Sequence, residues 1–553
     1  MAVSPGKAES TSSGDESRAG SRAEKQVVVH PLLFALFPVF FLYAPNQSQF
    51  GFDVTYKPAF ITVVLALTAW LALRVILGNS KLAALWTSLA WLLFFTFDSF
   101  WATYAHLRFG AGLGDIGLDH QIKLGALLLA GAAFVVFYRV RRDLDQATYL
   151  FNVIGTILVC MALIDVARGN LFRPEAKVQA PDNPALERAV DDDDRPDIYY
   201  LILDGYGRAD QLERLYGFDN EKFLESIEDQ GFHVLSRAVS NYPQTLLSIT
   251  SVLNFEYLHE MLGAGLTGVQ DRRYVRKLLR DNQTTTLLRE AGYHITSIAS
   301  PYYEANVLEA DTVFANWRFP TVFELAILDM TPVPWLLSKA GVKLSYDLHR
   351  SRILFALDQL TEMPSQPGPK FVYCHIQYAH PPFVFDEHGG PVNPDRPYTW
   401  LEGEAYFTQQ GTSPEEYIEG YRGQVQFLNQ RLPDTLAAII ANSKRPPIIV
   451  IQGDHGSGVK TSLSSLERTD VDERYSILNA FYLPDDGATD LYESMSSVNT
   501  FRIIFNRYFG ASYPLLADER YYSPFEHPYD FSLIDSTALA RNLDAEGSAQ
   551  PVQ

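Results

Sequence analysis

Five long apolar segments in the first third of the chain constrain its fold more than any other feature. They cover about 27–44, 58–77, 82–101, 122–138 and 148–166, and each contains at most one charged side chain. Each is close to the ~20 residues that an α-helix needs to cross a bilayer. Five such segments in succession are not typical of the buried helices of a water-soluble protein. The sequence therefore predicts an α-helical membrane domain of about five transmembrane helices.

The distribution of Lys and Arg predicts the orientation of these helices. If the N-terminus is cytoplasmic, the inner segments hold Arg22, Lys25, Arg74, Lys81, Arg139, Arg141 and Arg142, whereas the outer loops hold only Lys57, Arg108 and Lys123. Cytoplasmic loops normally carry the excess of these residues. After an odd number of spans, the chain beyond residue 168 then lies outside the cytoplasm. We therefore expect a multi-pass plasma (inner) membrane protein with an extracytoplasmic C-terminal part.

The C-terminal part is strongly acidic. Residues 170–553 hold 32 Lys and Arg against 54 Asp and Glu. Nucleic acid is excluded as a partner, because binding a phosphate backbone needs a basic surface. By composition, the chain divides into a disordered cytoplasmic tail (1–25), a transmembrane domain (26–168), a linker rich in Pro and Asp (169–195), a folded domain (196–530) and a flexible tail (531–553).

Strand and helix patterns alternate along the folded domain. Short, nearly continuous apolar runs predict strands at 197–203, 293–299, 369–376, 447–451 and 478–483, and helical patterns fall at 221–230, 245–253, 272–290, 348–361, 415–441 and 497–509. Such runs are typical of strands that are covered on both faces. The alternation predicts an α/β sandwich with a mainly parallel sheet, whose ligand site lies at the carboxyl ends of the strands.

Three short segments next to these elements carry side chains suited to phosphoryl chemistry. Asp204 follows the first predicted strand, Asp454 and His455 follow the fourth, and Thr245 opens a helix after Pro-Gln. Taken singly, each segment also fits a turn or a helix cap. Together, two carboxylates and an imidazole can bind a divalent metal ion, and a hydroxyl at a helix N-terminus lies where anions are stabilised. The combination predicts a hydroxyl nucleophile for phosphoryl or sulfuryl transfer.

With these motifs, the chain resembles the sulfatase-like branch of the alkaline phosphatase superfamily. It is similar above all to membrane-anchored lipoteichoic acid synthases and phosphoethanolamine transferases, which place about five spans before an extracytoplasmic catalytic domain. The resemblance covers about 197–510 by motif and 27–168 by architecture. It implies an alkaline-phosphatase-like catalytic domain at 196–530 and a metal-dependent enzyme.

The resemblance also implies roles for single residues. The nucleophile would be Thr245, and one divalent ion (Mn, Mg or Zn) would be held by Asp204, Thr245, Asp454 and His455. In the family's His-x4-His-x-Pro stretch, His380 would bind phosphate or assist the leaving group, and His375 would contribute there too. The transferases commonly have Glu where this chain has Asp204, and neither cysteine lies in the segment that sulfatases convert to formylglycine.

The resemblance implies that Thr245 takes a phosphorylated head group from a membrane phospholipid and passes it to a glycan or lipid acceptor, or to water. Two alternatives stay open: an extracytoplasmic hydrolase of soluble phosphate or sulfate esters, and an inactive membrane scaffold. Arg422 and Arg474 could supply further contacts to an anion, but nothing in the sequence singles them out, and surface ion pairs are their expected role. The sequence predicts no oligomeric state.

Overall fold

The computed structural model describes residues 27–47, 50–99, 131, 144–171, 195–307, 309–316, 320–396 and 398–534. Four predictions lie wholly or mostly outside these residues: the N-terminal tail (1–25), the fourth span (122–138), the linker (169–195) and the C-terminal tail (531–553). The division of the chain into domains stays a prediction.

Four apolar helices form the membrane part that the structure describes. They are α1 (His30–Asn46), α2 (Tyr56–Leu77), α3 (Ser80–Phe95) and α4 (Leu144–Leu171). Within the described residues, two helices, Phe52–Leu77 and Leu144–Gly169, are long and apolar enough to cross a membrane, whereas α1 and α3 are shorter. Four predicted spans are therefore helices, and the number of five spans stays a prediction.

Local sequence explains where these helices begin and end. Pro31 stands at the first turn of α1, where no backbone N–H is needed. Gly78 ends α2 in the left-handed conformation, with φ of 64°. The Asn79 side chain then accepts hydrogen bonds from the Lys81 and Leu82 amides and starts α3. These signals fold α2 and α3 into a hairpin.

A seven-stranded sheet forms the centre of the C-terminal domain. Its strands are β1 (Ile198–Leu203), β2 (His233–Val234), β3 (His294–Ile298), β4 (Thr312–Phe314), β5 (Lys370–Ile376), β6 (Ile448–Gln452) and β7 (Asn479–Tyr482), in the order β2-β7-β6-β1-β5-β3-β4. The five strands from β6 to β4 run parallel, while β7 and β2 run antiparallel to their neighbours. A small hairpin, β8 (Tyr521–Tyr522) with β9 (Ser532–Leu533), stands apart. The prediction of a mainly parallel sheet is confirmed, and the antiparallel pairs lie at the β7 and β2 edge.

Helices cover both faces of this sheet. They are α5 (Ala209–Tyr216), α6 (Glu221–Glu228), α7 (Thr245–Asn254), α8 (Leu258–Leu262), α9 (Arg273–Arg280), α10 (Gln283–Glu290), α11 (Val322–Asp329), α12 (Val333–Lys339), α13 (Leu344–Glu362), α14 (Gly403–Gln410), α15 (Pro414–Asn442), α16 (Val471–Tyr475) and α17 (Thr500–Phe509). Alternate residues of β1 point to opposite faces. Tyr200 packs with α7, α9, α10 and α17, and Leu201 packs with α5, α6, α13 and α15.

One predicted helix is two helices. The segment 272–290 breaks between α9 and α10, because the Asn282 side chain accepts a hydrogen bond from the Thr285 amide and caps a new helix. The sequence analysis also missed α5, α8, α11, α12, α14 and α16, which are at most eight residues long.

The membrane part contacts the catalytic domain directly. Tyr43 at the end of α1 and Phe50 in the following loop pack on Phe323 of α11. Lys57 at the start of α2 pairs with Glu324, with Nζ 3.0 Å from the carboxylate. The ends of these apolar helices therefore lie against one edge of the α/β domain.

Candidate metal centre and active site

The carboxyl ends of three adjacent strands bring the predicted metal ligands together. β1 lies between β5 and β6, so Asp204, directly after β1, has neighbours from both of these strands. His375 Nε2, on β5, lies 3.4 Å from Asp204 Oδ2. His455 Nε2, after β6, lies 3.6 Å from Asp204 Oδ1 and 3.4 Å from Asp454 Oδ2. Two carboxylates and two imidazoles thus meet at one buried point.

The chemistry of this cluster fits a divalent cation. Asp204 Oδ1, Asp454 Oδ2 and His375 Nε2 are buried and have no hydrogen-bond partner among the described residues. Ligand atoms of these three side chains all lie within 4.8 Å of one another. Buried polar atoms without partners cost about 1–3 kcal/mol each, and two adjacent carboxylates repel each other. A divalent ion removes both penalties, and oxygen and imidazole ligands suit Mn, Mg or Zn.

Second contacts orient the two histidines toward the carboxylates. His455 Nδ1 lies 2.9 Å from the Gly456 carbonyl oxygen, to which it donates, so the Nε2 lone pair faces the cluster. His375 Nδ1 lies 2.8 Å from Ser300 Oγ. Metal-binding histidines commonly fix their second nitrogen in this way. The sequence analysis gave His375 a role in phosphate binding, and the geometry adds it to the candidate ligands.

Thr245 stands at the first position of α7 and faces the cluster. Its Oγ1 lies 3.2 Å from His455 Nε2. The cap residue is Gln244, with extended backbone (φ −127°, ψ 134°) and no side-chain hydrogen bond to the helix. Thr245 is therefore not the helix cap that its sequence context also allowed. Because the Gln244 side chain makes no capping hydrogen bond, the first amide groups of this helix remain able to bind an anion.

His380, the other histidine of the His-x4-His stretch, lies beside the cluster between two carboxylates. Its Nε2 is 3.9 Å from Glu402 Oε2. Burial would lower the pKa of His380, but the charges of Asp204 and Glu402 outweigh it and raise the pKa above its usual value. Burial would likewise raise the pKa of Asp204, but the opposing influence of the neighbouring imidazoles, of which His380 is the largest, holds it well below its usual range. The site thus favours a protonated imidazole next to ionised carboxylates.

The sequence analysis was wrong about Arg474. This side chain is not on the surface: its exposure is 0%, and it forms two hydrogen bonds with the Glu402 carboxylate, of 2.7 and 2.8 Å. Its Nε donates to the Pro243 carbonyl oxygen at 2.7 Å, two residues before Thr245. Arg474 therefore fixes the turn that leads into Thr245. Arg422 is exposed, as expected.

Two carboxylates that the sequence analysis missed support the site. Glu402 anchors Arg474, and Arg474 with His380 lowers the pKa of Glu402 to about 2 against the effect of burial. Glu473 accepts hydrogen bonds from the Ser457 hydroxyl at 2.9 Å and from the Val459 and Lys460 amides at 2.7 and 2.6 Å. It therefore holds the loop that follows His455. Neither residue belongs to a local motif that sequence could reveal.

The site opens into a large cleft that reaches the membrane part. The cleft has a volume of about 970 Å³. Its lining includes residues of the candidate site: Asp204, Gln244, Thr245, His380 and Glu402. The lining also includes apolar and aromatic side chains, among them Tyr303, Val322, Trp400 and Phe525, together with charged ones such as Arg272 and Arg468. Phe50, from the loop between α1 and α2, also lines it. A residue of the membrane part thus shares a cavity with the candidate nucleophile.

No family model and no curated protein matches the chain. Among solved structures, it is similar to the C-terminal periplasmic domain of EcEptC from Escherichia coli, with a TM-score of 0.39 and 13% identity over 63% of this chain and 94% of that one. It is also similar to the integral membrane lipooligosaccharide phosphoethanolamine transferase A from Neisseria meningitidis, with a TM-score of 0.34 and 11% identity over 83% of this chain and 89% of that one. A putative sulfatase from Bacteroides thetaiotaomicron has a TM-score of 0.37 and 14% identity over 58% of this chain and 72% of that one.

These neighbours are enzymes of the kind that the sequence resembles. They include phosphoethanolamine transferases and sulfatases, and the E. coli domain has also been solved as a complex with Zn. At these identities and TM-scores, the likeness assigns no substrate, metal or residue role to this chain.

Proposed function

We propose that this protein is a membrane-bound metalloenzyme that transfers or hydrolyses the phosphorylated head group of a phospholipid, with Thr245 as nucleophile. The observation that carries the proposal is the position of the Thr245 hydroxyl. It lies at an uncapped helix N-terminus, 3.2 Å from His455 Nε2, beside the Asp204 and Asp454 carboxylates. A threonine with only a structural role needs none of these neighbours.

Asp204, Asp454, His375 and His455 would hold the divalent ion. When bound, the ion supplies positive charge beside the phosphoryl group and the Thr245 oxygen. The α7 amide groups can bind the non-bridging phosphoryl oxygens. His380, whose pKa is raised by the charges of Asp204 and Glu402, could give a proton to the departing oxygen.

The proposed reaction proceeds in two steps. Thr245 Oγ1 attacks phosphorus, the bond from phosphorus to the diacylglycerol oxygen breaks, and that oxygen takes a proton as the threonine hydroxyl loses one. The head group is then attached to Thr245 through a phosphodiester bond. In the second step an acceptor hydroxyl, of a glycan or lipid, attacks the same phosphorus and releases Thr245. If water attacks instead, the net reaction is hydrolysis.

The shape of the cleft favours a lipid donor over a soluble ester. The scissile phosphate of a phospholipid stays at the membrane surface, and the cleft is shared by Thr245 and by Phe50 of the membrane part. The apolar side chains of its lining, such as Val322, Trp400 and Phe525, suit the glycerol and the start of the acyl chains. We propose that this cleft lies at the outer face of the plasma (inner) membrane, with the N-terminus in the cytoplasm.

The test is a search for the covalent intermediate. Full-length protein in nanodiscs is incubated with head-group-labelled phospholipid and Mn, Mg or Zn, quenched in acid and digested. We expect the label on the peptide that contains Thr245 and release of diacylglycerol. Thr250→Ala is the matched control, because Thr250 lies on the same helix but donates to the Leu246 carbonyl oxygen instead of facing the cluster.

The outcomes separate the proposal from its alternatives. Loss of label and of diacylglycerol in Thr245→Ala, with both retained in Thr250→Ala, supports it. Turnover of a soluble aryl phosphate or sulfate that depends on Thr245, without any action on lipid, would instead show a hydrolase of soluble esters. A wild-type protein that acts on neither substrate with any of the three metals would be the inactive scaffold.

A further inference from the structure

A second cavity lies where the membrane helices meet the catalytic domain. Its volume is about 520 Å³. One wall comes from the membrane part, with Tyr43, Gln47 and Phe52, and the other is formed mainly by α9. This junction cavity shares Phe50, Tyr303 and Glu304 with the catalytic cleft, but Thr245 and the candidate metal ligands do not line it.

The helix that lines the junction cavity is basic in a domain that is otherwise acidic. The segment 271–281 contains five Arg and Lys against two Asp, whereas residues 170–553 together have 32 basic and 54 acidic residues. Val275 and Leu279 bury the apolar face of α9 in the core. Arg273, Arg276, Lys277 and Arg280 line the cavity, together with Leu279.

Contacts with the membrane helices place this cavity at the level of lipid head groups. Arg273 donates to the carbonyl oxygen of Gly169, at the end of the candidate span Leu144–Gly169, at 2.8 Å. On the opposite side, the Gly51 amide donates to the Tyr303 hydroxyl at 3.3 Å, just before the span Phe52–Leu77. Helix ends of two candidate spans therefore border the same cavity, where tyrosine and basic residues are typical.

Carboxylates also line the cavity, and their pairings differ in strength. Glu304 is buried, and its neighbour Arg276 is buried too. Lys277 pairs with Asp281, and Arg280 pairs with Glu309, but the lysine and arginine side chains are 64% and 50% exposed. Exposed ion pairs are worth at most about 1 kcal/mol. Lys277 and Arg280 can therefore exchange these partners for a phosphate.

We propose that the junction cavity binds the phosphate of an anionic phospholipid of the outer leaflet, at a site separate from the catalytic one. The lipid phosphate lies at the depth of the helix ends, and its charge is bound by Lys277 and Arg280. Basic pockets beside transmembrane helices are the usual sites for anionic head groups. The site attaches an acidic domain, which lipid charge would repel, to the membrane surface.

The test measures lipid retention and needs no turnover. Full-length protein carrying Thr245→Ala, which cannot consume lipid through that residue, is placed in nanodiscs of phosphatidylcholine with a minority of phosphatidylglycerol. It is then extracted in mild detergent, and retained lipid is counted by native mass spectrometry. The cavity variant combines Lys277→Gln with Arg280→Gln. The control combines Lys444→Gln with Arg445→Gln, two exposed cations before β6 that remove the same charge.

We expect the Thr245→Ala protein with an unchanged cavity, and the control variant, to retain phosphatidylglycerol in preference to phosphatidylcholine. The cavity variant should lose this lipid about 10-fold or more, because each cation near an anionic surface contributes about a factor of five. Equal retention in cavity variant and control, or equal retention of the two lipids, would overturn the proposal. Displacement of the lipid by millimolar inorganic phosphate would also overturn it, because the site would then bind free phosphate. None of these readouts depends on whether Thr245 is a nucleophile.

Discussion

Outside the candidate metal ligands, substitutions in the buried pair Glu402–Arg474 should lower the stability of the protein most. Arg474→Met removes a fully buried guanidinium that makes two hydrogen bonds to Glu402 and one to the Pro243 carbonyl oxygen. The Glu402 carboxylate then stays buried without its main partner. Removing one member of such a pair typically costs about 3–5 kcal/mol. We expect the free energy of unfolding to fall by that amount.

The assay is thermal unfolding of full-length protein in detergent, followed by intrinsic fluorescence. For a domain of this size, about 2 °C of Tm per kcal/mol corresponds to a decrease of about 6–10 °C. Arg422→Met is the control: Arg422 is exposed, and surface changes are usually within about 0.5 kcal/mol. A second variant, Arg474→Met with Glu402→Leu, removes both charges and should regain much of the lost stability.

Two results would refute this reasoning. If Arg474→Met unfolds within about 1 °C of Arg422→Met, the pair is not buried as described. The second is a double variant that loses about another 3–5 kcal/mol of unfolding free energy relative to Arg474→Met. The two side chains would then contribute independently, and an unpaired buried charge would not explain the loss. Turnover should fall in both variants, since the turn before Thr245 loses its contact to Arg474.

The remaining predictions concern the nucleophile, the metal, the loop after His455 and pH. Thr245→Ser should keep measurable label on the new serine, whereas Thr245→Ala should lose at least about 1000-fold in turnover; equal activity of the two variants would exclude a hydroxyl nucleophile. Asp454→Asn should bind less divalent metal by elemental analysis, and unchanged occupancy would exclude it as a ligand. Glu473→Leu leaves the Val459 and Lys460 amides unpaired and should lower stability by about 2–4 kcal/mol in thermal unfolding. Because the pKa of Glu402 is lowered from 4.5 to about 2, its stabilising contribution is complete above about pH 4.5 and lost as the pH falls toward 2; the Tm difference between wild type and Glu402→Gln should narrow over that range, and a constant difference would contradict the lowered pKa.

The strands show how far local sequence determines the fold. All five predicted strands are present, as β1, β3, β5, β6 and β7, because each is a continuous apolar run long enough to be recognised. The missed strands β2, β4, β8 and β9 have two or three residues, which is too short for any pattern to show. Pairing with a neighbour makes these segments strands: β2 pairs with the distant β7, β4 with the preceding strand β3, and β8 with β9.

The site divides in the same way. Asp204, Asp454, His455 and Thr245 could be named because each directly follows or begins a predicted element, and the carboxyl ends of parallel strands share one edge. Sequence could not show that His375 Nε2 and two carboxylate oxygens lie close together without hydrogen-bond partners among the residues that the structure describes.

The sequence by itself determined the apolar membrane segments, the α/β domain and the residues able to carry phosphoryl chemistry, because these depend on periodicity and on residues adjacent in the chain. Only the tertiary structure decided that Arg474 is buried against Glu402, that Phe50 lines the cleft of Thr245, and that the basic face of α9 borders the membrane helices. The physical reason is that burial and charge pairing depend on which distant segments meet. Arg422 and Arg474 look alike in sequence, but Arg422 lies on the surface and Arg474 holds the turn before Thr245.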